Sequence, residues 1–149
     1  MKKYSIEEVK ASFSFSVPLQ VRFSDIDGYM HVNNGIYFNY FEHARAQYLF
    51  QICNWNIMDV GTVVANVNLD YYSPIHALDL PVAYVRVSKI GNTSFTMEQV
   101  ILGKTGQGEE IVFASATVTM VSVNMKTMKP VPVPEEYVSK MKKSTPSAG

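Results

Sequence analysis

One segment of this chain is far more apolar than a surface helix can be, and no other segment shows a helical pattern of that length. From Asn33 or Asn34, both favoured N-cap types, Tyr37, Tyr40/Phe41, Ala44, Tyr48 and Ile52 recur at helical spacing. Ile36 and Phe38 widen the stripe, so the first two turns are expected to be buried on several sides. After Gly61 the pattern changes to strands, over 62–73, 79–90, 93–103 and 109–123. Ser73-Pro74, Gly91-Asn92 and Gly106-Gln107-Gly108 separate them. A helix this apolar must be wrapped, and hairpin-connected strands are the only material available. The fold class is therefore α+β: one long central helix held by an antiparallel sheet of about five strands.

The fifth strand is expected before the helix. Phe13, Phe15, Val17, Leu19, Val21 and Phe23 alternate with Ser12, Ser14, Ser16, Gln20 and Arg22, which predicts a strand over 12–23 with one buried face. Pro18 lacks a ladder donor and places that strand at a sheet edge or a bulge. Residues 80–87 and 111–123 are apolar on both faces, so these strands should be covered on two sides. Pro130, Pro132 and Pro134 end the sheet, an amphipathic segment follows over 135–142, and the tail 143–149 reads as disordered. Residues 1–149 read as a single domain with its core at about 12–125.

Charge narrows the partners. Thirteen basic and thirteen acidic residues balance, which argues against nucleic acid or an anionic membrane surface. No apolar run approaches the ~20 residues of a membrane span, and the lysines at the start meet Glu7 and Glu8 before any apolar stretch. The single cysteine, Cys53, has no partner for an internal disulfide, so a reducing, cytoplasmic setting is expected.

The chemistry gathers between the first strand and the helix. Asp25, Asp27, His31, Asn33 and Asn34 crowd one short loop. The helix that follows offers unpaired backbone N–H groups and a positive dipole end, which suit a developing oxyanion. Carboxylate, imidazole and aligned donors together describe a place to hydrolyse something. Asp25 reads as the structural capper, satisfied by backbone N–H groups or by Arg22. His43 and His76 have no such company and read as surface or packing residues, and the three histidines lack metal-ligand spacing. Glu42 and Arg45, three apart, read as a solvated ion pair.

Asp25-Ile26-Asp27, His31-Val32-Asn33-Asn34, Tyr37, Tyr40 and Glu42-His43-Ala44-Arg45, on this element order, resemble a hotdog-fold acyl thioesterase of the branch that includes 4-hydroxybenzoyl-CoA thioesterase. The Asp-x-x-x-His-Val-Asn-Asn run also resembles the plant acyl-carrier-protein thioesterases. The likeness implies hydrolysis of an acyl-CoA or acyl-carrier-protein thioester with neither organic cofactor nor metal. It implies a homodimer or homotetramer in which the helix start of one subunit faces strands of the next. Asp27 becomes the catalytic carboxylate, either nucleophile or base for a water. The Asn34 backbone N–H faces the thioester oxygen, Asn33 caps the helix, Gly35 lets ligand approach closely, and Tyr37 lines the acyl pocket. His31 either polarises the carbonyl and orients water or holds Asp27 through the loop. Many relatives carry Gly where Met30 stands, and the plant enzymes carry Asn where Tyr29 stands, which implies a different loop path here. Arg86, Lys89, Lys104, Lys126 and Lys129 are candidates for coenzyme A phosphates. The same scaffold also serves hydratases acting on enoyl thioesters and non-catalytic acyl-thioester binders.

Overall fold

The computed structural model describes residues 4–145. Four strands follow one another close to their expected bounds: β2 Gly61–Tyr71, β3 Leu80–Ile90, β4 Ser94–Lys104 and β5 Glu110–Val123. With β1, Phe15–Pro18, they form one antiparallel sheet ordered β1-β3-β4-β5-β2. The long helix α2, Ile36–Gln51, crosses its inner face. Tyr37, Phe41, Ala44, Tyr48 and Leu49 pack there against Phe95, Met97 and Ile101 of β4 and Ala116 and Val118 of β5. Each large apolar side chain fully buried this way contributes about 1.5–3 kcal/mol.

The strand expected over 12–23 is the main departure. Residues before it form a helix, α1 at Ile6–Ser12, whose N-cap Ser5 side chain accepts the Glu8 N–H (3.1 Å) with Glu7 and Glu8 in the first turn. Val9 and Phe13 continue from it onto the outer face of the sheet, covering Val100 and Leu102. This helix is what the apolar outer positions of the strands require. Only Phe15–Pro18 pairs with β3, at the sheet edge that Pro18 demands. Beyond it the chain turns through a single 3₁₀ turn at Phe23–Asp25, and Phe23 is 96% exposed although the alternation placed it inside.

Two further expectations are corrected. The sheet wraps only one side of α2, so Phe38 and Phe50 remain 48% and 67% exposed. The amphipathic segment is a helix, α3, that runs through Glu135–Ser144 and so takes in Lys143 and Ser144. Ser144 shares a 2.7 Å hydrogen bond with Tyr48, and Tyr137 of α3 stacks on Trp55 at 4.2 Å. The rest of the expected disordered tail, 146–149, lies outside the described residues.

The core sets the alkaline limit of the fold. Burial pushes the Tyr48 hydroxyl up to about 12 and the Cys53 thiol up to about 11. Burial, and donation to Asp25, also raise Tyr40. These groups lose protons earlier in the unfolded chain than in the folded one. Their stabilising contribution is complete below the unfolded values and drains away as pH rises through the folded ones. Urea unfolding free energies are expected to fall steadily between about pH 9 and pH 12. A flat profile there would mean that these groups are solvated.

Candidate active site

The loop between β1 and α2 is built from two small turns. Asp25 ends the first: its Oδ2 accepts the Arg22 N–H (2.9 Å) and the Tyr40 hydroxyl (2.7 Å), and its carbonyl accepts the Asn33 N–H (2.8 Å). Buried, with its Oδ2 accepting two bonds, Asp25 is the structural carboxylate that the sequence anticipates, served by the Arg22 main chain.

The second turn is a tight hairpin. Ile26 bridges Val32, the Asp27 N–H donates to the His31 carbonyl (2.8 Å), and the Met30 N–H donates to the Asp27 carbonyl (3.0 Å). Gly28-Tyr29-Met30 form its tip, closed by Met30 at φ 65°. Three-residue hairpin loops need a left-handed residue at this position, usually glycine. Here methionine adopts that left-handed conformation, at a cost of about 1–2 kcal/mol. At the tip, Asp27 Oδ1 accepts the Tyr29 N–H (2.9 Å) and stands 3.4 Å from the His31 N–H. Two main-chain donors thus converge on the half-buried carboxylate.

The helix N-cap is Gly35, with no side-chain cap bond, and not Asn33 or Asn34 as the sequence suggests. Asn33 shapes the turn just before it: its Oδ1 accepts the Gly35 N–H (2.9 Å) and its carbonyl the Ile36 N–H (2.9 Å). The Asn34 N–H has no internal acceptor among the described residues, and the Asn34 carbonyl is pinned by the Tyr71 hydroxyl at 2.7 Å. Tyr71, at the end of β2, was not foreseen: the pairing joins residues far apart in sequence. Tyr37 is fully buried, its hydroxyl accepts the Ile75 N–H (3.2 Å), and its ring meets Tyr71 edge-on at 4.9 Å, so it anchors the β2–β3 loop.

His76 is a correction, because it has company. Its ring stands perpendicular to that of His31, centroids 4.8 Å apart, and the two residues bridge main chain to main chain. Behind it lies Asp79, buried, whose Oδ2 accepts the His76 N–H (2.7 Å) and sits 3.5 Å from His76 Nδ1. Asp79 Oδ1 accepts the Gly106 N–H (2.9 Å), tying the β2–β3 loop to the β4–β5 turn. A cavity of about 340 Å³ opens beside this cluster, lined by Met30, His76, Ala77, Leu78, Asp79 and Gly106 with Gln107. The only sequence signal for it was an Asp three residues after a His.

Charged residues were read less well. Arg45 does not pair with Glu42 in solvent; it is buried, and its Nη1 donates to Gln99 Oε1 (3.1 Å). Arg86 is committed to Glu98 (3.1 Å) and lies over the Phe13 ring on the outer face, so it is not a free phosphate ligand. His43 is exposed, at the rim of a cavity of about 380 Å³ that backs onto Asp25 and Tyr40.

The family model described as "Thioesterase-like superfamily" matches residues 21–141, which spans the hairpin, α2 and the whole of β2 to β5. The chain belongs to the thioesterase-like superfamily. Among relatives, it is 30% identical over 126 residues to the long-chain acyl-CoA thioesterase FadM of Escherichia coli, covering 83% of this chain and 93% of that one. A thioesterase from Thermus thermophilus, solved with coenzyme A and Zn, is 32% identical with a TM-score of 0.75, covering 89% and 95% of the two chains. A 4-hydroxybenzoyl CoA thioesterase mutant, solved with 4-hydroxybenzoyl CoA, superposes with a TM-score of 0.78 at 14% identity, covering 85% and 97%. That likeness fixes the fold: the thioesterase-like chain has the hotdog architecture. In this superfamily member the hairpin carboxylate, the imidazole pair and the helix start all fall inside the matched region.

Proposed function

We propose that this protein hydrolyses acyl-CoA thioesters, with the Asp27 carboxylate as nucleophile or general base. The observation that carries the reading is the pairing of two features within one short loop. A carboxylate is oriented by the Tyr29 and His31 N–H groups, and a few residues on, the Asn34 N–H is left unclaimed at the start of α2. A thioester carbonyl lying between them would have its carbon at the carboxylate and its oxygen at the main-chain donor and helix dipole. Attack by Asp27 gives an acyl-aspartyl anhydride as the thiolate departs, and water then frees the acid; alternatively Asp27 takes a proton from the attacking water. His31 borders the carboxylate in either route. The coenzyme A complex of the Thermus relative and the named substrate of FadM support a coenzyme A carrier.

What one chain leaves open supports an assembly of copies. β2 is an unpaired edge, and the groove of about 720 Å³ between α2 and β2 is apolar, with Phe50, Trp55, Ile57 and Val64 among its walls. A second copy pairing along β2 would cover this groove and complete the helix wrapping as a homodimer, with pairs of dimers as the larger form. The lone, buried Cys53 suits a reducing cytoplasm. Among the described residues no helix is long and apolar enough to cross a membrane.

The test is thiol release from a panel of acyl-CoAs and acyl-carrier proteins. Free thiol from the coenzyme A esters is expected; release from carrier-protein esters alone would move the carrier assignment. Loss of an enoyl chromophore without thiol would replace hydrolysis by hydration. Gly35 supplies a second check. It has helical dihedrals, and a Cβ there would meet only Asn33 Oδ1, at 3.4 Å. Gly35→Ala is expected to keep or raise stability by up to ~1 kcal/mol. Its kcat/KM should nonetheless fall about tenfold, because the Cβ stands where substrate approaches. Unchanged kinetics would remove Gly35 from the substrate path.

A further inference from the structure

Met30 sets a large apolar side chain on a backbone that favours glycine. Its φ of 65° lies in the left-handed region, yet the side chain is 63% exposed, so packing within the chain does not account for it. The His31–His76 bridge lays the hairpin alongside the segment that follows β2. Met30 and Leu78, itself 81% exposed, thereby share one cavity with Ala77. Both Asp79 oxygens are taken, by His76 and Gly106. What the cavity offers a ligand is the Met30-Ala77-Leu78 wall, with the His76 ring and Gln107 at its border.

We infer that Met30 is a specificity-determining residue, the wall against which the apolar acyl group of the thioester lies. The inference rests on the proposed site at Asp27, three residues earlier on the same hairpin. A pantetheine arm, with its amides and hydroxyl, needs hydrogen-bond partners along its length, which this wall does not supply. Methylenes need only apolar surface to cover, and exposed Met30 and Leu78 gain by being covered. The larger groove begins at Glu42, seven residues beyond Gly35 and about 10 Å along α2, too far to hold the first carbons of the acyl chain. Selection for acyl length or bulk would explain why a strained methionine is kept where glycine would be relaxed.

The experiment compares wild type, Met30→Gly and Met30→Leu on straight-chain acyl-CoAs of increasing length, with free coenzyme A as product inhibitor and a thermal melt for each. Met30→Gly is expected to melt no lower than wild type, since it relieves the left-handed strain. Its KM for the longest chains should rise about 5- to 10-fold, with acetyl-CoA changed less than about twofold. Coenzyme A inhibition should stay the same, and Met30→Leu should restore the long-chain KM. Gain of stability with loss of long-chain binding is a combination that hairpin packing alone cannot give. The inference is overturned if KM is unchanged at every length. It is equally overturned if all lengths and coenzyme A weaken together, or if a lowered melting temperature accompanies a lost kcat. Wild-type protein that releases no thiol from any acyl-CoA would remove the parent reading as well; normal wild-type turnover with an indifferent Met30→Gly removes this inference alone.

Discussion

Asp27→Asn is expected to lower kcat for acyl-CoA hydrolysis by at least about 10³-fold while leaving the fold intact. The amide keeps an oxygen that can accept from the Tyr29 and His31 N–H groups, so the hairpin retains the bonds that shape it. What it loses is the charge: an amide is neither a nucleophile toward a thioester nor a base for water. KM should change little, because the donor at Asn34 and the walls around it are untouched. Asn34→Ala provides the contrast. The role assigned at that position belongs to the backbone N–H, which alanine retains, and Tyr71 still holds the Asn34 carbonyl. Its loss should stay below about tenfold. Thiol release measured under saturation, with circular dichroism to confirm folding, decides the matter. Equal losses in the two variants would contradict a main-chain role at Asn34, and an active Asp27→Asn would end the carboxylate mechanism.

Legibility in the sequence followed the range of the interactions. Strands β2 to β5 and helix α2 could be read because alternation, helical spacing and turn residues are local properties. Helix α1 was hidden by an accident of phase: Phe13 and Phe15 both face apolar surroundings, but one closes a helix on the outer face and the other opens a strand on the inner one. A run that alternates across a change of element looks like a single strand. The site divided in the same way. Asp25, Asp27 and Asn33 act through their own and neighbouring backbone, so their places were visible. His76 and Tyr71 reach the hairpin across the fold, and only their partners reveal them. Met30 lay between these cases. Its departure from glycine was evident in the sequence, but whether the backbone or the residue type would yield depended on the hairpin bonds around it.

Arg45 shows what tertiary context can impose on a residue that reads as surface, and it yields the largest stability effect expected here. Gln99 is fully buried on the inner face of β4; its Oε1 accepts Arg45 Nη1 and its Nε2 donates to the Phe41 carbonyl at 2.9 Å. Burial pulls the Arg45 guanidinium below its ordinary range, a sign that its charge is held where water is scarce. Gln99→Leu preserves volume but leaves that cation facing an apolar side chain. It is expected to cost about 2–4 kcal/mol in urea unfolding, or about 6–12 °C in Tm. Arg45→Met in the Gln99→Leu background should recover more than half of the loss, because both polar partners are then gone and no buried charge is left unsatisfied. The folded fraction should retain its kcat, since this pair lies about 15 Å along α2 from the helix start. A Gln99→Leu variant within about 1 kcal/mol of wild type would show that the guanidinium is solvated through the groove between α2 and β2, and that Gln99 serves α2 only through the Phe41 carbonyl.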